Sequence, residues 1–244
     1  MSNSPPPLTR FKVMSFDVVG TLIDFERGML DFIRRSVPQA AAVSDAAILD
    51  SYRRARGSDA AGRFPDDLAR VWHELARELA LPDDRGLAEA FRDSVPAWPA
   101  FADSRDALRR LRTRCKLVAM TNAQRWALAH FENTLGHPFD DTVSVDDAGV
   151  EKPDPQFFAF TRGRLSVAGF ALADILHVAQ SQYHDIGVAR ALGYTVCWIE
   201  RRKGQSGYGG TLAPARLTTP DYHYASLAEL ADALDAAAKA PAAA

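Results

Sequence analysis

Residues 12–25 read KVMSFDVVGTLIDF. Val13 to Val19 make a short, mostly apolar run rich in β-branched residues, the composition of a strand buried in a sheet. Asp17 sets a carboxylate at the end of that run, and Gly20-Thr21 supplies a turn directly after it. An acid in such a place either caps the turn or performs chemistry. The other residues that reach the same place decide between the two.

Four further runs of the same kind follow: CKLVAMT from Cys115, DTVSVD from Asp141, ILHVAQ from Ile175 and TVCWIE from Thr195. Between most of them lie the amphipathic segments SRDALRRLRTR, RWALAHFENTLG, PQFFAFTRGRLS and YHDIGVARALG. Strands alternating with helices imply crossover units, so the expected fold class is α/β: a Rossmann-like parallel-sheet core with helices on both faces. Residues 25–97 break the rhythm, with helical patterns such as DAAILDSYRRAR and DLARVWHELAREL and no convincing strand. They read as an inserted helical cap, and SVPAWPAF is the Pro-punctuated return. The expected boundaries are 11–24 and 98–236 for the core and 25–97 for the cap, with 1–10 and 237–244 as flexible tails. Trp72, Trp98 and Trp126 read as core filler or as packing at the cap–core seam.

A formal net charge of −2 gives no electrostatic reason to expect a nucleic acid or an anionic membrane as partner. The Arg-rich stretch RDALRRLRTRCK has helical periodicity and reads as a solvated helix face. Cys115 and Cys197 flank or enter strand runs and read as small core residues. The opening MSNSPPPLTR lacks the apolar stretch of a signal peptide, and no segment is long enough to span a membrane, so the expected location is the cytoplasm. The loop RRKGQSGYGG lacks the GK[ST] ending of a phosphate-binding loop and reads as a flexible surface segment or flap.

In open parallel sheets ligands bind beyond the carboxyl ends of the strands. Asp17 and Thr21 follow the first strand, Thr121 and Asn122 the second, and Gln180 through Asp185 the fourth. Lys152, in GVEKPDP, follows the third closely enough to reach the same crevice. Carboxylate, hydroxyl, amide and ammonium are therefore expected to converge.

In this order, FDVVGTL, AMTNA, EKPDP and AQSQYHD resemble the four motifs of the haloacid dehalogenase superfamily, over nearly the whole chain. Most of that superfamily are phosphatases, whose first motif reads Asp-x-Asp with the second Asp as general acid. Val19 stands there and cannot deliver a proton. The fourth motif of the phosphatases begins with a magnesium-binding Asp, and Gln180 stands in its place. Losing that carboxylate weakens a magnesium site, and phosphoryl transfer needs the metal to offset the repulsion between anions. Halide departs as an anion and needs no general acid, so a lone carboxylate can displace it at an sp³ carbon. The departures thus resemble the metal-independent (S)-2-haloacid dehalogenase branch, which implies a small halocarboxylate substrate and no cofactor. A magnesium phosphatase is the first alternative, and ring-opening of a strained acid such as azetidine-2-carboxylate the second. The resemblance also admits a homodimer through cap or core helices, a point on which no residue pattern bears.

It further implies Asp17 as nucleophile, Lys152 as the cation that keeps it ionised, Thr21 as a donor to its carboxylate, and Asp185 as the group that orients or activates water. Thr121 and Asn122 resemble a Ser-Asn pair that holds substrate carboxylate and halide; Asn122 could instead cap the helix that begins near Gln124. Gln180 and Gln182, with Ser181 between them, alter the water-binding arrangement expected near Asp185. Phe158 stands where tyrosine is frequent, as a pocket wall or as plain core. Arg53 lies at about the spacing of the cap arginine that receives halide, in competition with Arg54, Arg56 and Arg27. His184 has no second metal ligand beside it in sequence.

Overall fold

The computed structural model describes residues 5–239. Six parallel strands form one sheet in the order β3-β2-β1-β4-β5-β6. They are β1 (Val13–Phe16), β2 (Lys116–Met120), β3 (Asp141–Val143), β4 (Ile175–Ala179), β5 (Thr195–Ile199) and β6 (Tyr222–Tyr224). The first five fall on the five expected runs, and β6 is an addition at the edge. The strand order reverses between β1 and β4, which is where a doubly wound sheet leaves a crevice at its carboxyl end.

Alternation along the strands separates two apolar cores. Met14, Phe16, Leu117, Ala119, Leu176 and Val178 face one side, and Val13, Val118, Met120, Val143 and Ile175 face the other. The first core is completed by α5 (Ser104–Leu111), α6 (Arg125–Leu135) and α10 (Leu227–Lys239), the second by α8 (Pro155–Val167) and α9 (Gly187–Ala191). Both faces are thereby covered, so the strands can be apolar on both sides. A single helical turn, α7 (Val145–Ala148), follows β3.

The stretch between β1 and β2 holds α1 (Phe25–Ser36), α2 (Asp45–Arg56), α3 (Leu68–Glu78) and α4 (Arg85–Asp93), with no β-strand element. Asp24, Ser44 and Asp84 cap three of these helices through their side chains. Trp98 is buried against Phe25 and Phe64 at the junction of the insertion with the sheet, and Trp72 packs on Phe91 within it. Gly28 sits under Trp98: a Cβ there would lie 2.4 Å from the indole Cγ. Gly28→Ala is therefore expected to destabilise the fold by about 1–3 kcal/mol, despite alanine's better helix propensity, and a denaturant titration measures this.

The ordered chain reaches further than the sequence suggests. Leu8–Arg10 form a 3₁₀ turn with Leu8 buried, and α10 continues to Lys239, inside the expected tails. The rest of the two tails lies outside the described residues. The segment RRKGQSGYGG is not a free flap. Arg201 donates to Thr21 O at 2.9 Å and to Asp103 at 2.8 Å; Gly210 N–H donates to Glu26 Oε1 at 2.9 Å; and Arg53 Nη1 donates to Gly209 O at 2.7 Å. It straps the sheet to α1 and α2. Cys115 and Cys197 are both free thiols. No helix among the described residues is long and apolar enough to cross a membrane.

Candidate active site

A cavity of about 370 Å³ opens at the carboxyl ends of β1 and β4. The chain leaves β1 at Asp17, whose N–H still bonds Val178 O at 3.1 Å, and then turns through Gly20 at φ 94°. That left-handed backbone favours glycine, and a Cβ would press on Phe25 and Gln180 at 3.3–3.4 Å. After β4, Ile186 N–H reaches back to Ser181 O at 3.0 Å, closing a π-helical turn over Gln182–Ile186. The wide turn sets Asp185 at the floor of the crevice.

Lys152 joins the two acids. Its Nζ donates to Asp17 Oδ1 at 2.9 Å, to Asp185 Oδ1 at 2.6 Å and to Met120 O at 2.8 Å, which uses all three ammonium protons. Thr21 Oγ1 donates to Asp17 Oδ2 at 2.7 Å and accepts Gln180 N–H at 2.9 Å. All four side chains are buried. Burial pushes the Asp17 carboxyl above its ordinary value, against the pull of Lys152 and Thr21. Burial also opposes ionisation of Asp185, but the Lys152 ammonium and a hydrogen bond from His177 outweigh it and hold that carboxyl at about 2. The two acids in turn raise Lys152 despite its burial. One ammonium thus serves two buried carboxyl groups.

Asp17, Val19, Thr121, Asn122, Lys152, Gln180, Ser181 and Asp185 all line the cavity, as the sequence leads one to expect. Some have other work than the resemblance implies. The Asn122 side chain clamps the lysine loop, donating to Lys152 O at 2.8 Å and accepting Lys152 N–H at 2.7 Å. It does not cap the following helix, whose N-cap is Gln124. Thr121 Oγ1 accepts Ala123 N–H at 3.1 Å and keeps its own proton to donate.

Three expected site residues are elsewhere. Arg53 is not in the cavity wall: it is held by Gly209 O and Asp50, while Arg56, one turn further along α2, lines the cavity. Phe158 is fully buried in the second core, edge-on to His177 at 5.4 Å and to Tyr194 at 5.8 Å, so it is core and not wall. Gln182 turns away to pair with the backbone of Thr218, accepting its N–H at 3.0 Å. Thr21 touches Asp17 but does not line the cavity.

The structure adds wall residues that sequence reading leaves out. Phe25, Tyr52 and Phe64 come from the insertion, Leu212 from just after the strap, and Glu151 from beside Lys152. Burial pushes the Tyr52 hydroxyl up to about 12, so it stays a proton donor. Glu151 Oε1 is buried without a hydrogen-bond partner, and burial raises that carboxyl. His184 is also in the wall; burial lowers it to about 4, so it is neutral at pH 7. His177 lies behind the floor, and its only sequence signal is a lone polar residue inside the apolar run ILHVA.

A doubly wound parallel sheet with an acid–lysine–acid cluster at its switch point defines a class, the α/β proteins whose chemistry sits at the strand ends. Comparison with known proteins narrows it. A family model of haloacid dehalogenase-like hydrolases matches residues 11–193, and the chain belongs to that family. An (S)-2-haloacid dehalogenase of Pseudomonas fluorescens is 30% identical over 131 residues, 52% of this chain and 54% of that protein. That match therefore spans about half the relative's length. The 5-amino-6-(5-phospho-D-ribitylamino)uracil phosphatase YigB of Escherichia coli (strain K12) is 25% identical over 217 residues, 81% of this chain and 87% of YigB. In fold, the crystal structure of the L-2-haloacid dehalogenase PA0810 superposes with a TM-score of 0.74 at 21% identity, covering 93% of this chain and 99% of that one.

Phosphatases of this superfamily work with magnesium, and the donors here do not fit that ion. The Val19 side chain offers no oxygen, and Gln180 offers a neutral amide whose Oε1 lies 3.3 Å from the Thr211 hydroxyl that donates to it. The Oδ1 atoms of both acids are already held by the Lys152 ammonium. Magnesium favours anionic oxygens in a near-ideal octahedron, and this arrangement supplies few.

Proposed function

We propose that this hydrolase removes halide from small 2-haloalkanoic acids by way of an ester on Asp17. The observation that carries the reading is Lys152 bridging Asp17 and Asp185 beside an apolar Val19, a site with a lysine-held nucleophilic carboxylate and no acid at position 19 for a leaving group. An Asp17 oxygen forms a bond to the substrate's C2, and the carbon–halogen bond breaks with its electron pair on the halide. Thr21 and Lys152 each hold one carboxylate oxygen, which fixes the plane of attack. Water then attacks the Asp17 carbonyl carbon while Asp185 takes its proton. The ester bond breaks, the alkoxide recovers a proton as the 2-hydroxy acid, and Asp17 loses one to solvent. Thr121 and the Arg56 end of α2 are the groups suited to the substrate carboxylate and the departing halide. The half-length likeness to an (S)-2-haloacid dehalogenase supports the same reading.

Halide release from chloro-, bromo- and fluoroacetate and from both 2-chloropropionates, assayed in excess chelator, tests it. Turnover undiminished by chelator is the expected result; phosphate-ester cleavage that chelator abolishes would replace it with the phosphatase reading. One observation favours a second substrate. The unpartnered Glu151 oxygen in the wall suits a substrate that carries a hydrogen-bond donor, such as the ring ammonium of azetidine-2-carboxylate. That acid belongs in the same screen.

A further inference from the structure

His177 does not line the cavity, yet it is wholly buried against the floor that Asp185 forms. It sits on β4 in register with Ser15 on β1. Its Nδ1 lies 3.0 Å from Ser15 Oγ and its Nε2 3.1 Å from Asp185 Oδ1. An unprotonated Nε2 would set a lone pair against a carboxylate, so the ring proton belongs on Nε2. The Ser15 hydroxyl then donates to Nδ1 and fixes that tautomer. Phe158 and Tyr194 close on the ring edge-on, at 5.4 and 6.4 Å between centroids, and hold its plane. Phe158 stands where the family resemblance expects a tyrosine, and so brings no hydroxyl. The polar group in this neighbourhood comes instead from β4.

Asp185 is used unevenly as a result. Oδ1 accepts both Lys152 Nζ and His177 Nε2, whereas Oδ2 is buried with no partner. A buried carboxylate oxygen left bare is costly unless a ligand or water meets it. We propose that His177, locked by Ser15, is a positioning residue that pins Asp185 through Oδ1 and so reserves Oδ2 as the base for ester hydrolysis. The inference rests on the aspartyl-ester reading. It assigns His177 to the second half-reaction only: the water oxygen bonds to the Asp17 carbonyl carbon and its proton passes to Asp185 Oδ2. As the bond from that carbon to the substrate oxygen breaks, the proton goes on to the alkoxide.

His177→Leu removes the donor, and His177→Gln keeps an N–H at a similar reach. With 2-chloropropionate, His177→Leu is expected to release one halide per site in a burst. Turnover should then slow about tenfold or more, in the range set by losing control of a general base. Because the slowed step follows halide departure, kcat and KM should fall together with kcat/KM little changed, and the Asp17 adduct should accumulate in intact-mass spectra. His177→Gln should regain most of the turnover. A fall in kcat/KM equal to that in kcat, with no adduct, would overturn the assignment, as would unaltered turnover. Nitrogen NMR of the unmodified protein supplies an arm independent of activity: an Nε2–H tautomer supports the contact and an Nδ1–H tautomer overturns it. Should the parent release no halide at all, the dehalogenase reading fails alone, and the tautomer still decides whether His177 donates to Asp185.

Discussion

Asp17→Asn should abolish halide release, with kcat reduced about 10⁴-fold or more, the scale seen when a covalent nucleophile is removed from a group acting as a unit. The substitution is close to isosteric. An amide oxygen can still accept from Lys152 Nζ, as Asp17 Oδ1 does at 2.9 Å, and its NH₂ can meet Thr21, so the variant should fold. What it loses is the negative charge and lone-pair strength needed to displace an anion from carbon. A single turnover of the parent in ¹⁸O-water, with enzyme in excess, makes the test specific. The product's hydroxyl oxygen should come unlabelled from the Asp17 carboxylate, and the label should appear in Asp17. Label in the first-turnover product with none in Asp17 would mean direct attack by water, and Asp17 would then be no more than a base.

The sheet and the acid–lysine–acid cluster were legible in the sequence because each of the strands β1 to β5 lies in an apolar run that ends in polar residues. A parallel sheet aligns all those ends on one side. The strand Tyr222–Tyr224 was not legible: it is three half-exposed residues at the sheet edge, and DYHY carries no apolar run. Arg53 and Arg56 illustrate a second limit. Both lie at a suitable distance after the first motif, but spacing along a chain does not say how a helix is turned, and only Arg56 reaches the cavity. Phe158 and Gln182 fail for the same reason, since each points behind the floor, where burial and backbone pairing claim it. The strap over residues 201–210 reads as loose in sequence because it is rich in glycine. In fact Gly209 and Gly210 let the backbone approach Glu26 and Phe25 closely enough to tie the strap down.

Removing the cation should do more harm to the fold than any other single change at the site. Lys152→Met keeps much of the volume but leaves Asp17 and Asp185 buried together without a counter-charge. Breaking a buried ion pair from one side costs about 3–5 kcal/mol, and activity should fall with it, because neither acid can stay ionised beside the other. The pH dependence carries the sign. In the parent, Asp185 is held at about 2, below its unfolded value of 3.8, so its contribution is present above that value and lost as pH falls through 2. In the variant both acids titrate above their unfolded values. The folded state then binds the extra protons, and the stability lost at pH 8 should be partly regained as pH drops toward 4. Thermal unfolding of parent and variant between pH 4 and 8 should show the gap between them narrowing on acidification. A gap that stayed constant or widened would mean that the two carboxylates do not depend on Lys152 for their charge, and the electrostatic basis for an ionised nucleophile at Asp17 would be lost with it.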